Sequence, residues 1–127
     1  MNANSNLDYL AAKHAQALVN ANEKAKDLEN TLTKTLGVLQ ENGVYACFLY
    51  LYAREDKGVT IVEHMLNLLS NDTLGFPKPP QATERDAVLK YAAKHITADL
   101  QRLLLAKEAL EQMLIYARYG AKARQKE

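Results

Sequence analysis

Tryptophan is absent from this chain of 127 residues, cysteine occurs once, and there are only five glycines and three prolines. Each scarcity excludes something. Cys47 has no intrachain partner, so the chain is no disulfide scaffold. At this length folding removes roughly two thirds of the unfolded chain's accessible surface, and a hydrophobic core can carry the fold without a structural metal. Few breakers favour helices over the many short strands and turns of a β-fold. There is no run of about 18 apolar residues to span a bilayer. The start, MNANSNLDYL, has neither a basic beginning nor an apolar signal core, so a cytoplasmic protein with no membrane partner is expected. An excess of one charge is missing too. Sixteen basic residues against fifteen acidic ones leave +1, which excludes a free-standing nucleic-acid binder held by bulk charge alone.

What is present is a chain 48% apolar and 24% charged, sized for one domain over residues 1–127. Behind a capping pair, Ser5 and Asp8, the residues Leu7, Leu10, Ala11, Ala15, Leu18 and Val19 recur at helical spacing and predict a first helix over about 6–20. Leu28, Leu32, Leu36 and Leu39 form a second stripe, which Asn42-Gly43 should end with the glycine in the left-handed conformation. The stretch VYACFLYLYAR (44–54) would suit a buried strand by composition. No other segment alternates with period two to pair with it, so it reads as a third helix. Lys57-Gly58 breaks the chain before a short fourth helix bearing Ile61, Val62, Met65, Leu66, Leu68 and Leu69. All three prolines fall in NDTLGFPKPPQA (71–82), the one real loop.

Thr83 with Asp86 reopens a helix, and no breaker follows before Tyr119. A continuous rod of about 36 residues would be about 54 Å long, longer than such a domain is wide. A bend is therefore expected near His95 to Thr97, dividing a fifth helix (about 84–95) from a sixth (about 97–119) stopped by Gly120. The predicted fold class is all-α: a compact bundle of five to six helices, single domain, with residues 1–5 and 121–127 frayed.

No catalytic constellation is legible. His14, His64 and His95 share no metal-ligand spacing, so neither a metal nor a cofactor is expected. Cys47 sits in the most apolar helix as a small core residue. The carboxylate pairs Glu55-Asp56 and Glu84 with Asp86 fall at helix ends, where capping accounts for them. Tyr45, Tyr50 and Tyr52 share a helix with Phe48, Leu49 and Leu51, which reads as core or subunit interface before base stacking. The chain is not expected to be an enzyme.

The last helix carries most of the information. Ile96, Leu100, Leu103, Leu104, Leu110 and Leu114 fall on one broad face, with Lys107 inside the same stripe and Glu111 one turn on to receive its ammonium. Beyond them Arg118, Lys122, Arg124 and Lys126 stand against Glu127, a local +3 on a body of −2 over residues 1–117. Such a tip is either a solvated helix end or a set of phosphate contacts. Lys90 and Lys94 are a further cation pair one turn apart.

Three pieces in order carry a family resemblance: YLAAKHAQALV (9–19), LGVLQENGVYACFLYLYARE (36–55) and DLQRLLLAKEALEQMLIYARYGAKA (99–123). Over essentially its whole length the chain resembles the small α-helical subunit of type III-B CRISPR effector complexes, the Cmr complexes. It departs from that family in lacking the tryptophan usual near the position of Tyr116 and the arginine usual early in the first helix, near Ala11. The resemblance implies a non-catalytic subunit of an antiviral ribonucleoprotein. Copies of itself would stack into a short filament beside the backbone repeat-binding subunits, capped by a large cyclase-like subunit, and line the path of guide RNA and target RNA. RNA binding would then be to the backbone, since base pairing reads the sequence. The candidate contacts are Arg118, Lys122 and Arg124, followed by Lys107, Lys90 and Lys94. The alternatives are the small subunit of a type III-A complex and a free-standing helical adaptor or nucleic-acid-binding bundle.

Overall fold

A computed structural model describes residues 3–54 and 56–126. Among the described residues there are six α-helices and no strand: α1 (Ala3–Asn20), α2 (Ala25–Asn42), α3 (Val44–Ala53), α4 (Asp56–Leu69), α5 (Arg85–Tyr91) and α6 (Leu100–Arg124). The order and number agree with the apolar periodicity. α6 lies between α1 and α2, α1 against α4, α4 against α3, and α3 against α2, while α4 also reaches α2 and α6. The core is therefore shared by all five of these helices, with Leu18, Leu32, Leu39, Phe48, Leu51, Ile61, Met65, Leu68, Leu110 and Met113 fully enclosed. α5 covers one side of α3.

Side-chain hydrogen bonds set the register. Gln40 Nε2 donates to Glu111 Oε2 (2.7 Å) and Gln125 Nε2 to Glu29 Oε1 (2.8 Å), so α2 and α6 run antiparallel. Tyr116 donates its hydroxyl to Asp8 near the start of α1, while Gly120 meets Val19 near its end, so α1 and α6 run parallel. Two threonines sit in the buried face of α2. Thr31 donates to the Asp27 carbonyl (3.0 Å) and Thr35 to that of Thr31 (2.7 Å), which satisfies both hydroxyls inside the helix's own groove.

Several boundaries differ from the sequence expectation. α1 begins at Ala3, so Ser5 lies within the helix and is not its cap, and residues 3–5 are helical; residues 1 and 2 lie outside the described residues. Gly43 ends α2 with φ 99° and ψ −174°, which is not the left-handed helical region but an extended positive-φ one open essentially to glycine. Its amide donates to Leu39 and its carbonyl accepts from Cys47, so one residue closes α2 and opens α3.

Gly58 is no break. It lies inside α4, where a Cβ would stand 1.8 Å from the Leu51 carbonyl oxygen, and its missing side chain lets α3 and α4 touch backbone to backbone. Gly120 does not stop α6 either; a Cβ there would stand 3.3 Å from Val19 Cγ2, and the glycine serves close approach to α1. α6 runs on to Arg124, so residues 121–124 are not frayed and Ala121 is buried.

The cap of α5 is Glu84 and not Thr83, its carboxylate accepting from the amides of Asp86 (3.1 Å) and Ala87 (3.0 Å). The long helix does break, slightly later than expected. α5 widens into a π-helical segment, Ala92–Thr97, and Asp99 then caps α6 by accepting from the Arg102 amide (3.0 Å). The wider turn keeps Val88, Ala92 and Ile96, spaced by four, buried together.

Candidate nucleic-acid interface

α6 presents Lys107, Arg118 and Lys122 along one side. At 100° per residue the three fall within about 60° of each other, and the row spans about 22 Å at 1.5 Å per residue. Lys122 is exposed, while Lys107 and Arg118 are half-buried along their stems. Glu111 lies in the same row, but its carboxylate accepts from Gln40 across the α2 interface, and the expected Lys107–Glu111 pairing is not formed. Among the described residues the single ion pair joins Arg85 to Asp86 (3.3 Å), both largely exposed. Lys122 also stands in the last turn of α6, where a cation complements the helix dipole.

Arg124 is placed differently from its neighbours. It points about 120° away from Arg118 round the helix, and its Nη1 donates to the carbonyl oxygens of Val19 (2.6 Å) and Asn22 (2.7 Å). Asn22 Nδ2 meanwhile donates to the Leu18 carbonyl (2.7 Å). The guanidinium thus closes the C-terminus of α1, satisfying carbonyls that a helix end leaves open. Lys90 and Lys94 are both exposed, on α5 and the π-helical segment, ahead of the start of α6. They are separated from Lys122 by most of the length of α6, so the six candidate cations do not form one patch.

The aromatic helix serves the fold more than a ligand. Tyr52 donates its hydroxyl to the Thr83 carbonyl (2.8 Å) and Tyr50 packs partly against the core, while Tyr45 is 38% exposed. Burial, with the Glu84 carboxylate second, raises the Tyr52 hydroxyl above its ordinary pKa. Tyr91 performs the same kind of anchoring by donating to the Pro77 carbonyl (2.6 Å), which ties the proline loop down; burial pushes its pKa up to about 12. Cys47 is enclosed, and burial holds its thiol at about 12, so it is no thiolate nucleophile at neutral pH. Among the described residues no three metal-ligating side chains come together, and the carboxylates of the Glu55-Asp56 pair lie outside them.

Two polar clusters escaped the sequence. Asp8, Gln112 and Tyr116 meet across α1 and α6: Gln112 Nε2 donates to Asp8 Oδ1 (3.1 Å) and to the Tyr116 hydroxyl (2.9 Å). The hydrogen bond to Asp8 raises the Tyr116 pKa, against the weaker lowering effect of Gln112. The other cluster gathers His14, His64, Lys13 and Lys78 in a cleft between α1 and α4. No local spacing signals either one, since each is assembled from segments distant in the chain. Compared with protein-family models, characterised proteins and solved structures, the chain finds no match.

Proposed function

We propose that this protein is the non-catalytic small subunit of a type III-B CRISPR (Cmr) effector complex, stacking with copies of itself and touching the RNA backbone through Lys107, Arg118 and Lys122. The observation that carries the proposal is the cation row on one side of a helix of 25 residues. Point charges strung along a rod meet successive phosphates without reading bases, which suits a subunit whose partner RNA supplies the sequence recognition. A net charge of +1 means that one copy holds RNA weakly, and repetition along a filament supplies the affinity. Arg124 drops out of the contact set because its guanidinium is committed to α1. Leu100 and Leu104, 69% and 59% exposed at the start of α6, offer apolar area to a neighbouring subunit.

The test is a salt series of target-RNA binding by complexes of verified equal composition, wild type against Lys107→Glu/Arg118→Glu/Lys122→Glu. Reversing three charges per copy should lower affinity and flatten its salt dependence, with no change in guide-sequence preference. Coincident lines would place the row in solvent or against protein and pass the role to Lys90 and Lys94. Submicromolar binding of a random strand by the isolated chain at physiological salt would instead argue for a self-sufficient binder.

A further inference from the structure

α1 and α4 pack side by side and bring His14 and His64 to the walls of one cleft of about 500 Å³, with Lys13 beside them on α1 and Lys78 reaching in from the proline loop. Asn67 and Ser70 complete the wall on the α4 side. Asp72, at the start of the 3-10 turn after α4, is the one carboxylate lining the cleft, and Glu63 opens onto the adjacent groove that Lys78 also borders. Within the cleft itself two lysines face one carboxylate even with both imidazoles neutral, and protonating the two rings adds two more positive charges at the same place.

One contact sets the tautomer of the neutral His64 ring. Its Nδ1 lies 2.9 Å from the Thr60 carbonyl oxygen, which can only accept, so Nδ1 carries a proton and donates it. Nε2 is then a bare lone pair in the neutral ring and repels an anion. A second proton converts it to a donor with a full charge behind it.

We propose that this cleft binds a phosphate-bearing anion between Lys13, Lys78 and the imidazolium forms of His14 and His64, with proton uptake accompanying binding. Burial first, then Lys13, then His64 holds the His14 pKa below its ordinary value. An anion seated among these groups adds an attraction that offsets both repulsions. Affinity then rises as pH falls, about tenfold per pH unit for each proton taken up, over the range where the free rings are neutral and the bound rings are charged. This site lies apart from the α6 row and needs no assembled complex.

The experiment is an NMR titration of the three histidine rings in the isolated full chain at constant ionic strength, in chloride, with added inorganic pyrophosphate, and with added sulfate, which does not titrate in this range. His14 and His64 should move together to higher pKa with either anion while His95, which packs at a tilt against Tyr91 with ring centroids 5.4 Å apart, stays in place. The displacement should vanish in Lys13→Ala/Lys78→Ala, two exposed side chains whose removal leaves the melting midpoint unchanged. No displacement of His14 and His64, equal displacement of all three rings, or full displacement in the double variant would each overturn the proposal. Adenosine diphosphate and a short single-stranded RNA at matched phosphate concentration then separate the sources. The same ring shifts at lower concentration with the strand assign the cleft to nucleic acid, and with the nucleotide to a free phosphate compound.

Discussion

The first turns of α6 and the turns that follow them have opposite fates. Its first turns carry Leu100, Leu103, Leu104 and Leu105, yet Leu100 and Leu104 are the most solvent-exposed of the chain's leucines. Its later turns carry Ala106, Ala109, Ala117, Gly120 and Ala121, and the four alanines are fully buried. Register explains the inversion. Gln40 faces Glu111 and α2 ends two residues later, while Asp8 near the start of α1 already faces Gln112 and Tyr116. The start of α6 therefore projects past the ends of both partner helices, which leaves Leu100 and Leu104 exposed while Leu103 packs partly against the core. Further along, α6 is clasped on two sides, and small residues let three backbones approach. Burial follows the presence of a neighbour, and the side chain's own apolarity comes second.

That contrast can be broken most forcefully at Leu110, which is fully enclosed. Leu110→Ala should cost about 2–5 kcal/mol in a urea denaturation series, through lost transfer energy and the cavity left behind. Next comes the α1 contact, where Gly120→Leu drives bulk towards Val19, whose Cγ2 would stand only 3.3 Å from the added Cβ. A loss of about 1–3 kcal/mol is expected, read from the same series. Arg124→Met keeps the stem and removes the guanidinium from the Val19 and Asn22 carbonyls. It should cost about 1–2 kcal/mol, and if Arg124 were merely a solvated cation the urea midpoint would not move.

The Tyr116–Asp8 bond sharpens the comparison through pH. The folded-state pKa of Tyr116 is raised, so the stability linked to it is complete below the ordinary tyrosine value of about 10 and is lost as pH rises through the folded value. Comparing urea midpoints of wild type and Tyr116→Phe at neutral and alkaline pH should show a smaller alkaline loss in the variant. The smallest effect belongs to the projecting end. Leu104→Ala should change stability by no more than about 0.5 kcal/mol, and a larger loss would mean that this turn is covered in solution.

Of the candidate site, the residue types were legible and their grouping was not. Arg118 and Lys122 are one turn apart on any helix, so their shared face followed from the chain alone. Arg124, two positions on, was grouped with them by composition, and only the meeting of α6 with the end of α1 turns it into a helix cap. The cleft of His14, His64, Lys13 and Lys78 was invisible for a related reason, because two helices and a loop must pack before those groups share a space.

The chain by itself determined the number and order of the helices, because apolar residues at helical spacing and a shortage of breakers act within each segment. It also determined that Cys47 and the Leu28–Leu39 stripe lie inside, where local amphipathicity and global burial agree. Tertiary structure alone decided the meaning of the glycines. Gly43 turns a corner, whereas Gly58 and Gly120 continue their helices because another backbone or side chain occupies the space a Cβ would fill. It also decided which face of α6 is core. The leucine-rich and alanine-rich rows both repeat with the helical period, and only the positions and lengths of α1 and α2 choose between them.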